Sequence, residues 1–227
     1  MRTLIQAFAV AFLIISLAAF QAQTAESKEM ARFDLTGFVP LFDGKTLNGW
    51  EKLASLSDGK WEVLNGEIAG DQYPEGKGGL LVTKKTYSDY EVYAEIKTTY
   101  PQDSGLFLRV QPNVLSYQIT IDHRPEGEIG GIYVPAGAGF IAHCDSGFTY
   151  WNPYEYNVIR ARIEGQPPHI QVWIGDRQVQ DFQDVLVDGK PRVPESGTIG
   201  IQVHPGENWK KGSKVLFRKI MIKELKK

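Results

Sequence analysis

The chain is 227 residues long, with 25 Lys and Arg against 27 Asp and Glu for a formal net charge of -2. Its basic residues are scattered, which argues against nucleic acid or an anionic membrane as partner and favours a neutral, polar ligand. Cys144 is the single cysteine, so no internal disulfide can form and stability has to come from packing.

Arg2 gives the N-terminus a positive start, Leu4 to Phe20 is an uncharged apolar run, and small and polar residues follow at Ala22 to Ala25. That is the layout of a secretory signal peptide, and the run is marginal for a membrane span with no basic flank after it. The expectation is a signal peptide over residues 1–25 and one mature domain over 26–227. The product is then secreted or periplasmic, without a membrane segment and, for want of a Cys beside the run, without a lipid anchor.

From Phe38 on, short β-branched and aromatic segments alternate with Gly, Pro, Asn and Asp clusters, and no amphipathic helix stands out. In chain order the predicted strands lie in "KWEVLNGEIAG", a hairpin turned at Asn65-Gly66, then "GLLVT", "DYEVYAEIKT", "SGLFLRV", "SYQITID" and "GGIYVP". There follow "YEYNVIRARIEG", "HIQVWIGDRQVQDF" turned at Gly175-Asp176, "GTIGIQVH" and "KVLFRKIMIKEL". So many short strands at this spacing predict an all-β, two-sheet antiparallel β-sandwich of the jelly-roll kind. No fixed repeat is visible, which argues against a propeller or solenoid.

Alternation sorts the faces. Leu106, Leu108 and Val110 are expected inward, with Phe107 and Arg109 outward. Ile119 and Ile121 oppose Gln118, Thr120 and Asp122, and Ile199, Ile201 and Val203 oppose Gly200, Gln202 and His204. Tyr90, Val92, Ala94 and Ile96 oppose Tyr93, Glu95 and Lys97. If these four strands share a sheet, its outer face gathers Glu95, Arg109, Gln118, Asp122, Gln202 and His204. Amides and carboxylates in a row suit sugar hydroxyls, which present donors and acceptors together.

Within that groove His204 is the candidate general base, since imidazole titrates near neutrality. Arg109 is the candidate cation, able to fork onto hydroxyls or polarise a ketone oxygen. Glu95, Gln118 and Gln202 are candidate substrate contacts. Tyr133, Trp151 and Trp61 are candidate platforms for the apolar face of a sugar ring, whereas Trp50 and Trp173 suit packing. Asp103, Asp122 and His204 offer the mixed oxygen and nitrogen set that could hold one divalent ion as a Lewis acid. His123 points away from this set if its strand persists. His143, Cys144 and Asp145 are adjacent and diverge on an extended chain, which disfavours a zinc site, and Lys77 sits in a loop without a phosphate-binding pattern.

Several blocks occur in an order that is itself informative: "PLFDGKTLNGWE", "WEVLNGEIAG", "GLLVTKKTYSDYEVYAEIK", "DSGLFLRV", "YQITID", "GGIYVP", "WNPYEYNVIRARIEG", "IQVWIGDRQVQDF", "GTIGIQVHPG" and "VLFRKIMIKEL". Over Phe38 to Leu225 the chain resembles the 3-keto-disaccharide hydrolase domain family, a concanavalin-like (glucanase-like) jelly roll. It departs at Gln118 and Thr120, where the family commonly shows Glu-x-Gln, at Lys219 in place of Asn, and in a longer link after His204. The resemblance implies an enzyme that cleaves glycosides carrying a ring ketone. In such chemistry His204 is the expected base that removes the proton beside the ketone, with Asp122 expected in the same catalytic set and Arg109 or a metal expected to steady the enolate. The aglycone leaves by elimination and water adds back, with no organic cofactor. The other reading is a carbohydrate-binding jelly roll without turnover. Classical retaining glucanase action would need a closely spaced carboxylate pair on a strand, and none is evident.

Overall fold

A computed structural model describes residues 33–124, 126–206 and 209–226. The signal-peptide expectation over residues 1–25 lies outside them. From Gly37 onward the chain forms one compact unit of two antiparallel sheets.

The first sheet runs, edge to edge, β13 (Arg177–Gln183), β12 (His169–Ile174), β11 (Asn157–Glu164), β6 (Tyr90–Thr98), β15 (Val215–Glu224), β4 (Glu67–Asp71) and β3 (Lys60–Leu64), with the short β1 (Val39–Pro40) also on β15. The second runs β10 (Gly139–Ala142), β9 (Ile129–Val134), β8 (Tyr117–Asp122), β7 (Asp103–Val110), β14 (Thr198–Val203), β5 (Gly79–Thr83) and β2 (Trp50–Ser57). A one-turn helix, α1 (Gly147–Tyr150), follows β10. The predicted two-sheet jelly roll is therefore what this sequence builds.

Period-two alternation explains the sandwich. Val92, Ala94, Ile96 and Phe217 from the first sheet and Leu106, Ile119, Ile132 and Ile201 from the second meet in one core, all with no exposed surface. Trp61 and Trp151 belong to that core too. A smaller apolar layer of Leu53, Leu80, Val82, Phe107 and Val110 lies on the second sheet's other face. Over it the Ser55 hydroxyl donates to the Pro112 carbonyl, linking β2 to the β7–β8 loop.

Two expectations about the faces need correction. β6 lies in the first sheet, so Glu95 cannot join a groove built on β7, β8 and β14; alternation reports which face a residue takes, not which sheet its strand enters. The second concerns β7. Thr198 pairs with Val110 but Gly200 with Phe107, so β7 carries one extra residue there, and Arg109 has a φ of 53°. This bulge breaks the alternation, leaving Val110 beside Phe107 and turning Arg109 into the interior.

Candidate active site

The start of β7, the end of β8 and the residue after β14 lie at one end of the second sheet, because these strands are antiparallel neighbours. The register sets Asp103 directly opposite Asp122. Two carboxylates facing each other repel, and Arg124 answers the repulsion. Its backbone N–H and Nε donate to Asp122 Oδ1 at 3.0 and 2.8 Å. Its Nη2 donates to Asp122 Oδ2 at 2.6 Å and to Asp103 Oδ2 at 2.8 Å. The Nη1 protons are used by neither carboxylate, and the side chain is 38% exposed. His204 Nε2 stands 3.2 Å from Asp103 Oδ2.

These four groups line a cleft of about 750 Å³, together with Gln72, Gln102, Phe140 and Trp209. The turn carrying His204 is held from outside: Gln72 Nε2 donates to the carbonyls of His204 and Gly206 at 2.8 and 3.0 Å. Gly78 lets the two loops touch, since a Cβ there would sit 2.1 Å from the Val203 carbonyl oxygen.

Burial and charge separate the protonation states. Burial first, and the Asp122 charge second, push the Asp103 carboxyl up to about 8. Burial also acts to raise Asp122, but hydrogen bonds from Arg124 outweigh it and hold that carboxylate below its ordinary value. Burial, then the Arg124 charge, keep His204 below the usual imidazole value. At neutral pH the cleft thus holds a protonated carboxylic acid, a neutral imidazole, a carboxylate and a guanidinium. Opposed shifts on neighbouring groups are how a site keeps an acid and a base side by side.

Beyond the acid–base end, Gln118 and Gln202 converge, the Gln118 Nε2 donating to Gln202 Oε1 at 3.4 Å. They do so over Gly105, where a Cβ would lie 2.7 Å from the Gln118 amide nitrogen. Tyr133 pairs with Gln118 across β8 and β9, and its ring meets Phe140 edge-on at 5.1 Å. Phe140 in turn stacks on His143, centroids 4.8 Å apart, and His143 Nδ1 is 2.8 Å from Glu128 Oε2.

The structure therefore brings Asp103, Gln118, Asp122, Tyr133, Gln202 and His204 to one face. It does not bring Arg109 there. Arg109 sits at the far end of β7, about 20 Å along the strand from Asp103 at the usual rise, and has no exposed surface. Its guanidinium is spent on the Ser88 and Gly165 carbonyls, Gln166 Oε1 and Asp89 Oδ1. Glu95 is 2% exposed and bound to Tyr93, Arg218 and Lys219 on the first sheet. Trp61 and Trp151 pack in the core, so neither is an open platform. β8 ends at Asp122, so the condition set for His123 is not met, yet His123 is buried all the same, its Nδ1 3.0 Å from the Gln102 carbonyl oxygen.

Sequence reasoning missed Arg124, the cation of the cleft, because the reading stopped where β8 ends. The signal available was a basic residue two positions after an outward carboxylate, with Pro125 and, two residues on, Gly127 following it in the sequence. For the expected divalent ion the fit is poor. Arg124 stands between the two carboxylates, and among the described residues no group of three His, Cys, Asp or Glu side chains is arranged to hold a metal ion.

A jelly roll whose outer face joins paired amides, an aromatic wall and an acid–base pair belongs to the carbohydrate-active class. The family model for the 3-keto-alpha-glucoside-1,2-lyase-like domain matches residues 37–223, and the chain belongs to that family. A stretch of 84 residues is 31% identical to a 3-keto-disaccharide hydrolase of Bacteroides thetaiotaomicron, covering 34% of this chain and 29% of that protein. The match thus spans less than a third of that curated relative. The fold is similar to that of a candidate glycosyl hydrolase from Parabacteroides distasonis, with a TM-score of 0.61 and 20% identity over 88% of this chain and 97% of the other. It is also similar to carbohydrate-binding module CBM66 from Bacillus subtilis, with a TM-score of 0.52 and 16% identity over 78% and 96% of the two chains.

Proposed function

We propose that this protein cleaves glycosides bearing a ring ketone, by proton abstraction beside the ketone, elimination of the aglycone and addition of water. The observation that carries the reading is the Asp103–His204 pair on the cleft wall, Nε2 3.2 Å from Oδ2, with burial raising the acid's pKa and lowering the base's.

The ketone acidifies the neighbouring C–H. With the glycoside bound, the Asp103 O–H turns from His204 Nε2 to the glycosidic oxygen; the freed Nε2 lone pair takes the C–H proton, and the C–H electron pair moves onto the ketone oxygen as an enolate. The Nη1 donors of Arg124, fixed by Asp122, stabilise that oxyanion, the role first expected of Arg109. As the ketone re-forms, the bond to the aglycone breaks and Asp103 gives its proton to the departing oxygen. Water then adds at the vacated carbon, Asp103 taking back a proton from it and His204 returning its own to the ring. Atoms and charges balance over the cycle, and no organic cofactor enters. Gln118, Gln202 and the Tyr133–Phe140 wall hold the ring. No step above needs a divalent ion, and adding one tests that expectation separately.

Product analysis with a 3-keto glycoside and its unoxidised parent tests the reading: cleavage of the first alone is expected. Binding of both with cleavage of neither points to the other function, a carbohydrate-binding module without turnover. Export belongs to the same proposal, and rests on the apolar run at Leu4 to Phe20. N-terminal sequencing of exported protein should begin between Gln21 and Lys28; Met1 retained in a membrane fraction would contradict it.

A further inference from the structure

We propose that Tyr100 and Tyr154 form a second sugar-ring subsite at the rim of the cleft, for a pyranose unit of an oligosaccharide extending out of it. The proposal rests on reading the cleft itself as a sugar site. Tyr100 is 48% and Tyr154 66% exposed, and their rings lie 5.7 Å apart at 49°. Large aromatic rings held in water beside a cleft represent apolar surface left uncovered, and a pyranose offers an apolar C–H face to cover it.

Both rings are presented on hydrogen-bonded turns rather than on loose chain. Around Tyr100, the Gln102 backbone N–H donates to the Thr99 carbonyl at 2.9 Å, and the Lys214 backbone N–H donates to Thr99 Oγ1 at 3.0 Å. Around Tyr154, its own N–H donates to Asn152 Oδ1 at 3.0 Å, while Asn157 Nδ2 donates to the Asn152 and Glu155 carbonyls at 2.7 and 3.0 Å. Such rings lose little freedom when a ligand lands on them, which favours binding. Behind Tyr100 stands buried His123, centroid to centroid 5.7 Å, so the ring cannot fold inward.

Continuity with the cleft selects the occupant. Pro101 and Gln102, next in the chain after Tyr100, are cleft wall, so a chain leaving the Asp103–His204 end across that wall reaches the tyrosines directly. On the Tyr154 turn, Asn152 and Glu155 are exposed and supply a donor and an acceptor for ring hydroxyls. A flat apolar partner would have no use for them.

The test is calorimetric titration of cellohexaose and maltoheptaose into wild type, Tyr100→Ala, Tyr154→Ala, the double variant and His204→Gln. At least one probe should bind wild type and His204→Gln alike. Each single tyrosine variant should weaken it by about 2- to 12-fold, the range for one aromatic contact, and the double variant more. Turnover of a methyl 3-keto-glucoside, too short to reach the rim, should be unchanged in the double variant. Wild type binding neither probe, or the double variant binding as tightly as wild type, overturns the subsite. Tyrosine-dependent binding without cleavage of any keto glycoside would sustain the subsite while removing the catalytic reading.

Discussion

Replacing Asp103 by Asn isolates the most displaced group of the cleft. An Asp carboxyl titrates near 3.8 in the unfolded chain and at about 8 here, so between those values the folded state holds a proton that the unfolded state has released. Stability from this residue is therefore fully present below about pH 4 and falls as pH rises towards 8. At about 1.4 kcal/mol per unit, a shift from 3.8 to about 8 amounts to roughly 6 kcal/mol were the surroundings fixed. A proton taken up by His204 once Asp103 ionises returns part of this, leaving a net loss of a few kcal/mol. Asn keeps the shape and can still donate to His204 Nε2, but it cannot ionise. Urea unfolding at pH 5, 7 and 9 should thus show Asp103→Asn gaining steadily on wild type, by several kcal/mol at pH 9. His204 acts in the opposite sense, its lowered value adding stability as pH rises towards 6.5; its proton uptake once Asp103 ionises occurs only in wild type, so the difference between the two proteins reports the coupled pair. Parallel stability curves for the two proteins would refute the claim that Asp103 is held protonated.

Other outcomes follow from the same geometry. His204→Gln should fold normally, because the residue is partly exposed just beyond a strand end, yet lose about 100-fold or more in turnover as a missing general base. The rate should plateau once His204 is neutral and fall above about pH 8 as Asp103 loses its proton; because the two groups interact, the limbs report the pair jointly. Arg109→Met should cost about 3–5 kcal/mol in chemical denaturation, as removal of one member of a buried ion pair does. The folded fraction should keep its affinity for sugar, whereas a tenfold loss would restore Arg109 to the site.

The fold was legible because most of its strands alternate: "SYQITID" and "GTIGIQVH" place Gln118, Asp122, Gln202 and His204 on one face from the sequence alone. What alternation cannot carry is long-range pairing. β6 reads as well in one sheet as in the other, and only its pairing with β11 and β15 takes Glu95 away from the cleft. Nor does a sequence of allowed residues announce a bulge, so Arg109 was assigned by parity to a face that one extra residue reversed. Trp61 and Trp151 were misjudged for a related reason: an aromatic ring suits a core and a sugar platform equally, and burial alone decides. Arg124 lay in a turn, where no periodicity speaks.

The central claim is that the Asp103–His204 end of the cleft removes a proton beside a ring ketone. Incubating the protein with a 3-keto glycoside in heavy water and following the hydrogen next to the ketone by NMR tests this directly. Wild type should exchange that hydrogen for deuterium or cleave the glycoside with deuterium at that carbon, and His204→Gln should do neither above the uncatalysed rate. Wild-type protein that binds the keto glycoside while leaving that hydrogen in place would contradict the account.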